Sequence, residues 1–149
     1  MLRPTHFRRE NGGQAMSENV ELVRTVYGRF GAGDVAGVLA LWNDPLDCQS
    51  CMGLKAEQFP IAGLRQGKPG LEALLADYAR ALDYDTYEPR EFREDGDTIF
   101  VLGHCAGTFK PTGKRFTSEW AHVFRLRDGK VPAFQEFCDT AAMLAAAAP

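Results

Sequence analysis

The spacing of apolar positions in this chain changes period along its length, and each period predicts a different element. From Ser17 the period is helical: Val20, Val23, Tyr27 and Phe30 share one face, Ser17 stands at a capping position, and Glu18 and Glu21 occupy the first turn. Gly31-Ala32-Gly33 predicts the stop, and Asp34 then caps a short second helix whose apolar side is Val35, Val38, Leu39 and Trp42. Between Asn43 and Gly67 the pattern weakens. Leu46 to Gln49 reads as a short strand and the rest, with Pro60 and three glycines, as a long loop of the kind that often forms a lid. Pro69 suits a first helical position, and Leu71, Leu74, Leu75, Tyr78 and Leu82 mark one face of a third helix.

Beyond Asp83 the period falls to two. Tyr84 to Glu94, Thr98 to Lys110, Arg115 to Arg127 and Lys130 to Phe137 read as strands, separated by turns at Asp95-Gly96, Pro111-Thr112-Gly113 and Asp128-Gly129. Sequential strands joined by tight turns make an antiparallel meander, which must twist and bury one face against the three helices. Thr140 to Ala148 predicts a short terminal helix. The fold class is therefore α+β, with residues 16–149 as one domain. Residues 1–15, with Arg3, Arg8, Arg9 and Gly12-Gly13, read as a disordered leader or tag ahead of a natural start at Met16.

Composition narrows what such a domain does. A chain of 149 residues, 45% hydrophobic and 25% charged, has the makings of a true core. Its net charge of −3 comes with scattered Lys and Arg rather than a basic stripe, so no nucleic acid and no anionic lipid is expected as a partner. No apolar stretch has the roughly 18 residues a membrane helix needs, and no signal-like apolar run follows the arginines; the expectation is a cytoplasmic protein. Cys48, Cys51, Cys105 and Cys138 are too few and too unevenly spaced for a disulfide framework. Cys48-Gln49-Ser50-Cys51 has redox or zinc spacing but no second pair beside it. The four read as small core residues, with no metal and no cofactor expected.

The order of elements, together with Ala62-Gly63-Leu64-Arg65-Gln66-Gly67 before the third helix, Thr112-Gly113-Lys114, Phe124 to Val131 and the closing Phe137-Cys138-Asp139-Thr140, resembles the nuclear transport factor 2-like superfamily in its SnoaL-like branch. The likeness spans about residues 17 to 145. It implies a cone-shaped fold in which a curved sheet wraps around three N-terminal helices, encloses one mostly apolar cavity and forms a homodimer through its outer face. The strand from Thr98 to Lys110 suits such a dimer, because Phe100 and Leu102 lie on the parity opposite Ile99, Val101 and Phe109.

Within that cone, strand alternation turns Phe116, Trp120, His122, Phe124 and Leu126 inward. By resemblance His122 takes the place where ketosteroid isomerases and SnoaL-type cyclases carry a pocket aspartate, and Cys105 the place of a cyclase histidine. Asp139 matches the last-strand aspartate of limonene-type epoxide hydrolases, whose Arg-x-Asp partner reads Gly103-His104-Cys105 here. The isomerases' proton-shuttling carboxylate falls near Ser50, with Asp47 close by, and their oxyanion-donating tyrosine falls one position from Tyr27. The resemblance thus implies His122, Asp139 and Cys105 as catalytic candidates, and Trp120, Trp42, Tyr27, Phe124 and Phe137 as contacts to a small hydrophobic ligand. An imidazole with a carboxylate partner is a general base suited to proton abstraction beside a carbonyl, as an isomerase, cyclase or dehydratase requires. The same residues also have structural readings: His122 as a hydrogen-bonded core histidine, Cys105 as packing, Tyr27 as core and Asp139 as the cap of the terminal helix. A non-catalytic binding or dimerisation domain is the alternative function. His104 should face away from Cys105, and His6 lies in the leader.

Overall fold

A computed structural model describes residues 17–149, so the expectation of a disordered leader and the position of His6 lie outside the described residues. The elements in chain order are α1 (Glu18–Gly31), α2 (Val35–Ala40), β1 (Trp42–Ser50), β2 (Gly63–Gln66), α3 (Gly67–Ala81), β3 (Leu82–Asp95), β4 (Thr98–Phe109), β5 (Lys114–Arg127), β6 (Lys130–Cys138) and α4 (Thr140–Ala147). Local chemistry sets several boundaries. The Ser17 hydroxyl accepts the Val20 N–H at the start of α1, and the Asp34 carboxylate accepts the Gly37 N–H at the start of α2. The hairpin turns carry glycine in the left-handed region at Gly96, Gly113 and Gly129, where a β-carbon would be strained.

Strands β3 to β6 form the expected antiparallel meander. β1 then joins β6 in parallel and β2 pairs antiparallel with β1, giving one curved, unclosed sheet in the order β2-β1-β6-β5-β4-β3. Its inner face carries Ile99, Val101, Cys105 and Phe109 from β4 and Phe116, Trp120, His122, Phe124 and Leu126 from β5, all buried, against Val23, Leu71 and Leu74 of the helices. This is the α+β fold that the sequence pattern predicts, with the curved sheet that the resemblance implies.

Three boundaries differ from those expectations. Trp42 does not close the face of α2; it opens β1, where it pairs with Val131. Leu82 likewise begins β3 instead of ending α3, and α3 starts at Gly67, ahead of Pro69. The short strand expected at Leu46 to Gln49 lies inside the longer β1, Trp42–Ser50, and the expected loop beyond it contains a four-residue edge strand. Both are held by partners distant in sequence, and four residues are too short a run for alternation to reveal.

Candidate functional site

His122 and Glu136 meet because of register. They are directly opposite on β5 and β6, both on the inner face, and His122 Nε2 lies 3.0 Å from Glu136 Oε2. Both are buried, at 2% and 7% exposure, so the pair sits out of solvent and its polar atoms must be satisfied internally. They are. Tyr27 of α1 places its hydroxyl 2.7 Å from His122 Nδ1, and the Tyr78 hydroxyl of α3 donates to Glu136 Oε2 at 3.0 Å. The second carboxylate oxygen, Oε1, accepts from the Cys51 backbone N–H at 3.3 Å and from its thiol at 3.4 Å. Ser50, fully buried, lies 3.4 Å from the Tyr78 hydroxyl.

This network sets the protonation pattern. Burial alone would push the Glu136 carboxyl up, but hydrogen bonding and charge from His122, with the Tyr78 and Cys51 donors, outweigh it and hold the group below its ordinary range. Glu136 is therefore the acceptor and His122 donates to it through Nε2; in the neutral imidazole Nδ1 is then left to accept the Tyr27 proton. Burial, followed by the Glu136 charge, raises the Tyr27 phenol, which keeps its proton; the same causes raise Tyr78. The result is a chain Tyr27, His122, Glu136 in which each proton has one assigned acceptor.

Aromatic rings fix the imidazole in place. Trp120 stacks on it at 4.1 Å between centroids with planes 19° apart, and Phe134 meets it edge-on at 4.9 Å. Trp120 lies flat only because Gly103 stands opposite it on β4. A β-carbon at Gly103 would fall 2.1 Å from the indole ring.

In front of the dyad lies an apolar chamber of about 60 Å³, walled by Trp42, Phe124, Phe134, Leu71, Leu74 and the polar set just described. An outer cavity of about 470 Å³, bordered by Asp34, Val35, Asp85 and Pro89, shares Tyr27, Phe30, Val38, Leu75, Tyr78 and Tyr87 with it. The shared wall places the inner chamber directly behind the outer one. Trp42 lines the inner chamber, and its buried indole N–H finds no partner among the described residues.

Of the sequence candidates the structure brings His122, Tyr27, Trp42 and Phe124 to the chamber, sets Trp120 against the imidazole and on the void behind Glu136, and leaves three elsewhere. Asp139 is exposed and caps α4, its carboxylate accepting the Ala142 N–H at 3.0 Å. Phe137 projects from the outer face at 43% exposure, because strand alternation turns Glu136 and not Phe137 inward. Cys105 is buried, but it borders a small void behind Glu136 rather than the chamber in front of it. Burial, with the Glu136 charge, pushes its thiol up to about 12, too high for a thiolate at neutral pH. Tyr27 is more than core, since its hydroxyl meets the imidazole. His104 faces outward, as alternation predicts, and contacts Glu119 at 2.7 Å; Asp47 is exposed and bonds Gln66. Sequence reasoning missed Glu136 and Tyr78, and named Ser50 only as the place near which the isomerases' carboxylate falls. The parity that turns His122 inward on β5 was the available signal for Glu136, given the right register on β6.

Comparisons with known proteins agree with this architecture. The family model for the SnoaL-like domain matches residues 23–133. An NTF2-like protein from Burkholderia xenovorans superposes with a TM-score of 0.78 at 29% identity, covering 90% of this chain and 98% of that one. An NTF2-like protein of unknown function from Burkholderia pseudomallei gives 0.79 at 28% identity, covering 88% and 98%. TerC, co-crystallised with polyporic acid, gives 0.74 at 25% identity, covering 87% and 99%. Among curated proteins the sequence finds no match.

Proposed function

The chain belongs to the SnoaL-like domain family, and from that premise we propose that it is a cofactor-independent acid–base enzyme acting on a small hydrophobic carbonyl compound. One observation carries the reading: a buried imidazole held between a carboxylate and a phenol, at the wall of an apolar chamber. In this scheme the Tyr27 oxygen takes a proton from the carbon beside the substrate carbonyl while its own proton passes to His122 Nδ1. Glu136 then balances the imidazolium, and the Trp120 face supports the same charge. Return of the proton to another carbon completes an isomerisation; in a cyclisation the enolate carbon first bonds to a second carbonyl carbon of the same molecule as that C=O π bond opens, and the alkoxide formed takes the proton back, so the protein is unchanged and no electrons leave the substrate. The inner chamber takes the reactive end of the ligand, with the remainder in the outer cavity, and the Trp42 N–H is a donor for a ligand oxygen. TerC, similar over nearly its full length, was crystallised with polyporic acid, which supports a ligand-binding role for this architecture.

The test follows deuterium uptake from D2O into a panel of enolisable aromatic ketones and β-dicarbonyl compounds, read by nuclear magnetic resonance. Wild type should accelerate uptake for at least one compound. His122→Ala should lose about 10²–10⁴-fold of that rate, with affinity, read by isothermal titration calorimetry, changed only a few-fold. Binding without any acceleration, or equal rates in the variant, would leave a ligand-binding domain instead.

A further inference from the structure

Behind Glu136, on the side away from the imidazole, the fold gathers thiols. Cys51 follows directly on β1, and the neighbouring Met52 N–H bonds the Glu136 carbonyl at 2.9 Å; Cys138 is two residues along β6 from Glu136. The Cys51 and Cys138 sulfurs and a Glu136 carboxylate oxygen all lie within 4.8 Å of one another. Together with Cys105 they border a void of about 10 Å³, roughly the space of one small particle. All three cysteines are free thiols. Cys48 is apart from them and lines the chamber on the other side, so the Cys-x-x-Cys spacing does not act as a unit.

We propose that Cys51, Cys138 and Glu136 form a three-donor binding site for a thiophilic divalent cation of the zinc type. The separations support this directly. Zinc bonds of about 2.3 Å to sulfur and about 2.0 Å to oxygen at a tetrahedral angle put those two atoms about 3.5 Å apart. The Cys51 sulfur and Glu136 Oε1 are 3.4 Å apart. The carboxylate is also held as metal-bound carboxylates are, its other oxygen fixed by His122 and Tyr78. Charge agrees as well: two thiolates and one carboxylate around a divalent ion leave one excess negative charge. Cys138, half-buried where the other two donors are buried, marks the side from which an ion arrives.

Titration of the fully reduced protein with Cd2+ tests the site through the ultraviolet thiolate-to-metal charge-transfer band. The band should saturate at one equivalent, vanish in the Cys51→Ser, Cys138→Ser double variant and persist in Cys48→Ser. Because the double variant could fold poorly, wild type is also melted with and without equimolar Zn2+; a chelator-reversible rise in Tm is the expected result. Absence of a band in wild type, its survival in the double variant, or a Tm indifferent to Zn2+ would each overturn the proposal.

Discussion

Glu136 engages both carboxylate oxygens with donors from three other elements or their flanks, and its ionisation is therefore tied to folding. Its folded pKa lies below the ordinary value of 4.5. The unfolded chain thus takes up the proton first as pH falls, and the stabilisation, full above pH 4.5, is lost as pH drops through the folded pKa. Melting curves between pH 7 and pH 3 should show a steeper acid loss of Tm in wild type than in Glu136→Gln; parallel curves would mean that the carboxylate gains nothing from its partners. This residue also marks the limit of what the sequence reveals. His122 was legible, because alternation along β5 is strict and its even positions are the aromatic ones. Its partner was hidden by one residue of register. Arg127 pairs with Lys130 at the hairpin, but Arg125 pairs with Ala133, so Val131 and Pro132 together oppose Leu126. Counted straight from the turn, His122 would face Gln135. The bulge, at a proline with no N–H to give the ladder, puts Glu136 there instead.

Elements differ in how far local chemistry determines them. The helices α1 and α3 and the four meander strands were readable because each repeats its period over ten or so residues between turn or cap residues. Of β1 only the middle, Leu46 to Gln49, was legible, and β2 was not, because four residues are too short a run for alternation to show. Asp139 shows the converse, a residue whose family likeness suggests catalysis while its local geometry assigns it to α4. Asp139→Ala should cost about 1 kcal/mol as a lost helix cap and leave deuterium exchange at the wild-type rate; a large loss of exchange would restore it to the site. Gly103 is an element-scale requirement of another kind. Two strands approach here only because one of them lacks a side chain, and the indole fills that space against the imidazole. Gly103→Ala should cost about 1–3 kcal/mol by overpacking and change the near-ultraviolet circular dichroism as Trp120 is displaced. An unchanged spectrum would show that the ring has other room.

At the scale of the whole molecule, the outer face of the sheet remains to be explained. Leu102, Ala121 and Phe137 are register neighbours across β4, β5 and β6, and Phe100 stands beside Val123 in the next outward row. Phe100, Leu102 and Phe137 are 44%, 50% and 43% exposed, which makes a continuous apolar band on a face whose edges carry Glu119, Arg90 and His104. Bands of this kind on the face of a sheet are covered by a partner more often than left to water. A second copy of this chain is the simplest cover, since an isologous contact matches the band to itself. On this proposal wild type sediments as a dimer at micromolar concentration and Leu102→Glu, which adds a like charge from each copy at the seam, sediments as a folded monomer. The inner face is unaffected by that change, because residue 102 points away from it, so ligand binding should survive in the monomer. A wild type that is already monomeric would leave the band unexplained by self-association, and a variant that loses binding together with its dimer would show that the chamber depends on the seam.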